Sequence, residues 1–281
     1  MKKKDKQRKP GSFSPMEGEE RELSSFSALG SLGGATPRTY RNSFSTERFQ
    51  SFVITYKDSD LWVGIDHASF KEEMAELALT RLVGIRDELE AYLVADSFFR
   101  KSLKPCPAQE AAPDTAKRMA AAAEKAGVGP MAAVAGLFSE IVGQTLLENF
   151  AINELVIENG GDIFLKLQNP LIVSIFAGES PLSGVVGLEI TAEQSPLGIC
   201  TSAGTVGPSL SFGKADAVMI ACRDTALADA FATGLGNLIK KPGDVEKVLK
   251  RTETFPEIMA AVLICEDQIG IRGEFEMKLI G

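Results

Sequence analysis

Asp229 and Thr233 stand four residues apart in the segment ALADAFATGLG, whose other members are alanine, glycine, leucine and phenylalanine. On a helix, positions i and i+4 share a face, so a carboxylate and a hydroxyl would project side by side over a nearly bare backbone. A hard cation or a phosphate-bearing ligand can come close to such a face. The same carboxylate has a structural use: with Asp224 or Thr225 as N-cap, Asp229 lies near the first turn, where the helix dipole favours negative charge by up to about 1 kcal/mol.

Cys200 supplies a second chemistry. It precedes Thr201-Ser202-Ala203-Gly204-Thr205 at the end of a predicted strand, in a loop whose amides suit an anionic ligand or a stabilised thiolate or persulfide. Read as packing, it is a small buried hydrophobe. Cys222 in AVMIAC and Cys265 in AAVLIC read as core. Two glycine-rich stretches complete the candidates. Gly127-Val128-Gly129-Pro130 opens a helix, either as an anion site made of free amides or as a tight turn between packed helices. Asn159-Gly160-Gly161-Asp162 fits a hairpin turn, or a loop that lets a ligand meet backbone amides.

Composition bounds what these groups can do. The chain has 281 residues, 44% hydrophobic, with net charge −8, long enough for a substantial core and too acidic for nucleic acid or an anionic membrane to be the main partner. A single histidine, His67, and four cysteines without CxxC spacing exclude the usual zinc and dithiol sites, so any cation would be held by oxygen. His67 precedes a predicted helix far from the other motifs and reads as structural. No apolar run approaches a membrane span and no signal core follows MKKKDKQRKP, which places the protein in the cytoplasm.

The elements that must position these groups follow from the apolar pattern. Residues 1–36 lack the bulk for a core and read as a disordered tail; residues 37–281 read as one domain. Tyr40, Phe44, Phe49 and the residues to Tyr56, then 61–65, predict a β-hairpin. Ser69 with Glu72 forms a capping box for a helix to about residue 94, and 96–113 reads as loop. Helices are expected over 114–126, closed by Gly127, over 131–147, around Asp229 and over 244–250. Strands are expected at 155–157, 163–165, 171–176, 184–190, 197–201, 216–222, 258–265 and 269–278. The fold class is α+β, mixed and largely antiparallel sheet packed with helices, whose edges make a homodimer plausible.

GVGPMAAVAG, ELVIENGGDIF, CTSAGT and ALADAFATGLG, in that order, resemble the core motifs of the ApbE-like superfamily, the T-fold-related fold of the bacterial flavin transferases, and resemble still more a bacterial and archaeal family within it. The resemblance implies a magnesium site at Asp229 and Thr233, with backbone carbonyls near residues 132–134. It also implies a small-molecule ligand, FAD or FMN, held by Gly127, Gly129, Asn159, Gly160, Gly161, Asp162, Thr201, Ser202, Gly204 and Thr205, and a magnesium-dependent transferase. The chain departs from the transferases in lacking a histidine after the Ser-Gly loop and a lysine before the GVGP helix. Archaeal relatives connected with sulfide assimilation imply an alternative, sulfur handling by Cys200. A third is a non-catalytic binding module.

Overall fold

The computed structural model describes residues 47–204 and 212–280. The tail over 1–36, Tyr40 and Phe44, and Thr205 lie outside the described residues.

Alternating apolar residues and short turns build an antiparallel sheet. β1 (Phe49–Tyr56) and β2 (Ser59–Asp66) pair with Tyr56 opposite Ser59, around a turn at which Lys57 takes φ 53°. β3 (Leu155–Asn159) and β4 (Asp162–Lys166) pair through Gly160 and Gly161, φ 71° and 103°. Two successive positive φ values are those of a type I′ hairpin turn, which glycine adopts without steric cost. β7 (Leu197–Ser202), β8 (Ala217–Cys222), β9 (Ala260–Cys265) and β10 (Gln268–Gly273) extend the sheet to eight strands in the order β1-β2-β3-β4-β7-β8-β9-β10. Every neighbour is antiparallel. β5 (Leu171–Ser174), β6 (Val186–Ile190) and β11 (Glu276–Leu279) form a second sheet, ordered β11-β6-β5.

The large sheet is buried on both faces. Val218, Ile220 and Cys222 belong to the core shared with the helices, whereas Ala217, Met219 and Ala221 join the side chains of the small sheet. Helices, eight strands and three strands therefore form three layers, which is why AVMIAC and AAVLIC are apolar throughout rather than alternating. The helices are α1 (Glu73–Ala95), α2 (Ser97–Lys101), α3 (Asp114–Ala126), α4 (Val134–Asn149), α5 (Thr225–Gly236) and α6 (Val245–Thr252). With its preceding 3-10 turn, α4 is long and apolar enough, by length and composition, to cross a membrane. Most of that stretch is instead buried, against α1, α5, β3 and β4.

Four expectations are corrected. The capping box at Ser69 does not form: α1 starts at Glu73, and the Ser69 hydroxyl accepts from the Asn153 amide at 3.0 Å. The segment 96–113 contains α2, capped by Asp96, whose carboxylate accepts from the Phe99 amide at 3.0 Å. The helix predicted from residue 131 opens as a 3-10 turn, Pro130–Ala133, before α4. The last predicted strand is two, broken at Gly273 with φ 123°, so that β11 leaves for the other sheet.

The entry into β1 is tied by Arg48, whose guanidinium grips both Glu154 oxygens (2.7 and 3.0 Å) and the carbonyls of Asn169 and Pro170. Burial alone would raise the Glu154 carboxyl, but Arg48 and the Asn169 and Gln168 amides outweigh it and hold it below the ordinary glutamate range. Asp66, bonded by the Glu154 amide, is lowered likewise against its burial. A depressed carboxylate contributes stability above its unfolded pKa and loses it as pH falls through the folded one. Stability should therefore decline below about pH 4.5. Glu154→Gln, costing about 1.5–3 kcal/mol at neutral pH, should flatten that acid limb in urea titrations run from pH 7 to pH 3; an unchanged slope would assign the acid loss elsewhere.

Candidate functional site

α5 gathers the candidate residues. Its N-terminus is fixed twice. Asp224 caps it, accepting from the Leu227 amide at 2.9 Å, and the buried Glu140 of α4 accepts the Thr225 amide at 2.7 Å while receiving Arg118 of α3 at 2.6 Å. The helix packs on β7 and β8 with α3 and α4 alongside, and missing side chains allow it. A Cβ on Gly136 would stand 2.5 Å from the Thr225 carbonyl oxygen and 2.9 Å from Asp229 Cβ, and one on Gly234 would stand 2.6 Å from the Ala126 carbonyl oxygen.

Asp229 is the fifth residue of α5 and is 8% exposed. Its Oδ2 accepts from the Gly136 amide at 2.9 Å, and the neighbouring Ala135 amide also favours the charged carboxylate. Ala135 and Gly136 lie in the first turn of α4, whose N-cap residue, Ala133, offers no side-chain acceptor. Asp229 thus caps α4 across the interhelical contact; the dipole it meets is that of α4, not of its own helix. Thr233, one turn further on, is half-buried and its hydroxyl makes no hydrogen bond among the described residues.

Beneath Asp229 lie Asp162 and Cys200, opposite each other across β4 and β7. The Cys200 thiol donates to the Thr225 carbonyl oxygen at 3.4 Å and lies beside the Asp162 carboxyl. Burial, then the Asp229 charge, pushes the Asp162 carboxyl well above the carboxylate range. Burial raises Asp229 to about 7, against the pull of the Gly136 and Ala135 amides. Burial and both carboxylates drive the Cys200 thiol up as well. Asp162 and the Cys200 thiol therefore stay protonated at neutral pH, and what negative charge the cluster carries rests on Asp229, which titrates near neutrality and is met there by backbone amides.

The Asn159–Asp162 turn is held onto α4. Asn159 Nδ2 donates to the Ala135 carbonyl at 3.2 Å, Ser139 Oγ to the Asp162 carbonyl at 3.1 Å, and the Gly161 amide to Glu158 Oε1 at 2.8 Å. Thr201 and Ser202 end β7 half-buried, with the Thr201 amide on the Gly161 carbonyl at 3.2 Å. Gly204 donates to the Ala215 carbonyl at 2.8 Å. Of these elements β7 packs against α5, and β4 touches it.

Gly127 ends a helix and Gly129 permits a close backbone approach. Gly127, φ 74°, closes α3 with paired bonds from its own amide to Glu124 and from Val128 to Ala123, a Schellman ending. A Cβ on Gly129 would stand 1.9 Å from the Ser102 carbonyl oxygen. The two α4 amides that an anion would seek are already held by Asp229. His67 follows β2, whose C-terminal end pairs with the start of β3, so it lies at the opposite end of the strands from the Asn159–Asp162 turn.

Glu140, Arg118 and Ser139 position this site and were not singled out from the sequence. The available signal was Glu140, an isolated charge inside the apolar helix AGLFSEIVG. Among the described residues no group of three His, Cys, Asp or Glu side chains could hold a metal. A cation here would rest on Asp229, Thr233 and the ligand's own oxygens. Asp229 keeps one oxygen outside the Gly136 bond and Thr233 an unused hydroxyl, so the donor set fits a magnesium ion that arrives with phosphate. A recess of about 670 Å³ beside α6 shares no residue with this cluster. We base the site on the cluster, because its polar groups are buried and converge, while the recess is rimmed by solvated charges.

Two groups of known proteins are similar to this chain, one in sequence and one in fold. The chain is 44% identical over 199 residues to a UPF0280 protein of Methanocella arvoryzae, covering 70% of this chain and 80% of the relative, and 33% identical over 226 residues to one of Methanocaldococcus jannaschii, covering 79% and 89%. In fold it matches the apo flavinyl transferase ApbE of Pseudomonas stutzeri (TM-score 0.52, 14% identity, 83% of this chain and 94% of that one) and the ApbE protein of Thermotoga maritima (TM-score 0.50, 12% identity, 80% and 97%). The family model described as AbpE bacteria matches residues 41–271, which takes in every element from β1 to β9 and the first four residues of β10, and the chain belongs to that family.

Proposed function

We propose that the protein binds a phosphate-bearing small molecule, a flavin nucleotide first among candidates, together with Mg²⁺, on the face of α5 formed by Asp229 and Thr233. The observation that carries this reading is a buried carboxylate and an unpartnered hydroxyl one turn apart, beside the ends of the Asn159–Asp162 turn and of β7. The fold shared with flavinyl transferases supports it. Magnesium would neutralise ligand phosphate charge. The chain itself fixes Asp229 through the Gly136 amide, presents Thr233, and orients the turn through Asn159 and Ser139. Flavin transfer would proceed here without an imidazole, since His67 is the chain's single histidine. The sulfur-handling alternative finds no support in a Cys200 that is fully buried and held protonated.

The test is thermal denaturation with FAD, FMN or ADP, with and without Mg²⁺. A ligand at 100 times its Kd stabilises by about 2.7 kcal/mol, roughly 5–10 °C for a domain of this size. Asp229→Asn and Thr233→Val, which preserve shape, should remove the magnesium-dependent part. The reading fails if no nucleotide gives a magnesium-dependent shift, or if both variants keep it.

A further inference from the structure

At the C-terminal end of α5 the chain carries a second surface. Lys247, Lys250 and Arg251 stand at i, i+3 and i+4 of α6, hence on one face, and line, together with Leu238, the recess of about 670 Å³. Beside it Phe212 is held in place by its amide on Asn237 Oδ1 at 2.8 Å and by Lys240 Nζ on its carbonyl. Phe212 is 53% exposed and Leu238 43%.

The charge arrangement is selective. The chain has 38 acidic against 30 basic residues, and Lys57, Arg86, Arg118, Lys125 and Lys278 all have carboxylate partners within 3.4 Å. The three α6 cations have no such partner among the described residues, a condition they share with other exposed cations such as Lys101 and Lys117, and what sets them apart is that they gather on one helix face beside a recess. Asp244, which also borders the recess, already accepts from the Lys240 and Lys241 amides at 3.0 and 3.1 Å, and Glu253 is the other acid on the rim. A cationic helix face with exposed apolar groups beside it, in a chain of net charge −8, suits a short acidic segment with one apolar anchor. A long polyanion or an anionic membrane would meet the repulsion of the whole molecule.

We propose that this recess docks an acidic peptide segment of a partner protein, its carboxylates on Lys247, Lys250 and Arg251 and its apolar residue on Leu238 and Phe212. The proposal is independent of the ligand assigned to Asp229. The probe is a fluorescein-labelled peptide of alternating Asp and Glu with a central Leu, titrated with the full chain by anisotropy. Binding should weaken steeply from low to physiological salt. It should fall about tenfold or more in the triple variant Lys247→Glu, Lys250→Glu, Arg251→Glu, and about threefold in Leu238→Ser. Arg81→Glu, an exposed cation on α1, should bind as the parent does. The buried face of α6, Val245, Val248 and Thr252, is untouched, and a neutral triple variant to Gln should show an intermediate loss that excludes misfolding as the cause. Absence of binding, equal binding by the triple Glu variant, or tighter binding at this face by inorganic triphosphate, an RNA oligonucleotide or anionic vesicles would each overturn the proposal.

Discussion

Gly136→Val should lower the melting temperature by roughly 6–12 °C, the equivalent of about 3 kcal/mol at 2–4 °C per kcal/mol. The first added carbon would already stand 2.5 Å from the Thr225 carbonyl oxygen, 2.9 Å from Asp229 Cβ and 3.2 Å from Cys200 Sγ. None of the three can withdraw cheaply: the oxygen and Cβ are fixed to the α5 backbone and the sulfur is sealed in the core. Either α4 or α5 must shift, and with it the bond between the Gly136 amide and Asp229. Any magnesium-dependent stabilisation should disappear along with it. Gly136→Ala separates the two opposing effects, since alanine gains about 1 kcal/mol of helix propensity against the same overlap. Should thermal melting show Gly136→Ala more stable than the parent, the helices are not in contact as described.

Glu140→Ala should cost about 3 kcal/mol, and magnitudes decide which lost partner matters. Thr225 is fully buried, so its amide, deprived of Glu140 Oε2, has no water to turn to and leaves a penalty of about 1–3 kcal/mol. The Arg118 side chain is 34% exposed and can rehydrate, so its share is the smaller. Arg118→Ala should accordingly cost about 1 kcal/mol or less, and Glu140→Gln, which keeps an oxygen for the amide, should fall between the two. Urea denaturation of the three variants tests the order. If Arg118→Ala proved as damaging as Glu140→Ala, the ion pair rather than the helix cap would be the main contribution.

Much of this architecture was legible in the sequence because its signals are local. Gly160-Gly161 between two apolar runs marks a hairpin, Gly127 after an alanine-rich segment marks a helix end, and AVMIAC marks a strand covered on both sides. The failures share a cause too. Ser69 looks like a cap within its own helix, yet its partner is Asn153, 84 residues away. Asp229 looks like a residue responding to its own helix dipole, yet it serves α4, 93 residues earlier. The division of the closing strand at Gly273 depends on a second sheet that no local pattern announces. Long-range pairing of polar side chains carries no periodicity, and so the partners of Glu140, Asp162 and Asp229 became visible only once the elements were packed.

The cap supplied by Asp229 also bears on how the molecule comes apart. In the eight-stranded sheet, β1 to β4 lie side by side in sequence order and so do β7 to β10, each half with helices inserted between its second and third strands. Left alone, the first half would begin α4 with a bare amide at Gly136, and the second would carry a buried carboxyl on α5 with no amide to receive it. Each half holds what the other lacks. Unfolding one therefore strands polar groups in the other, and this mutual dependence makes the two halves of the sheet a single cooperative unit in denaturation rather than two that melt in turn.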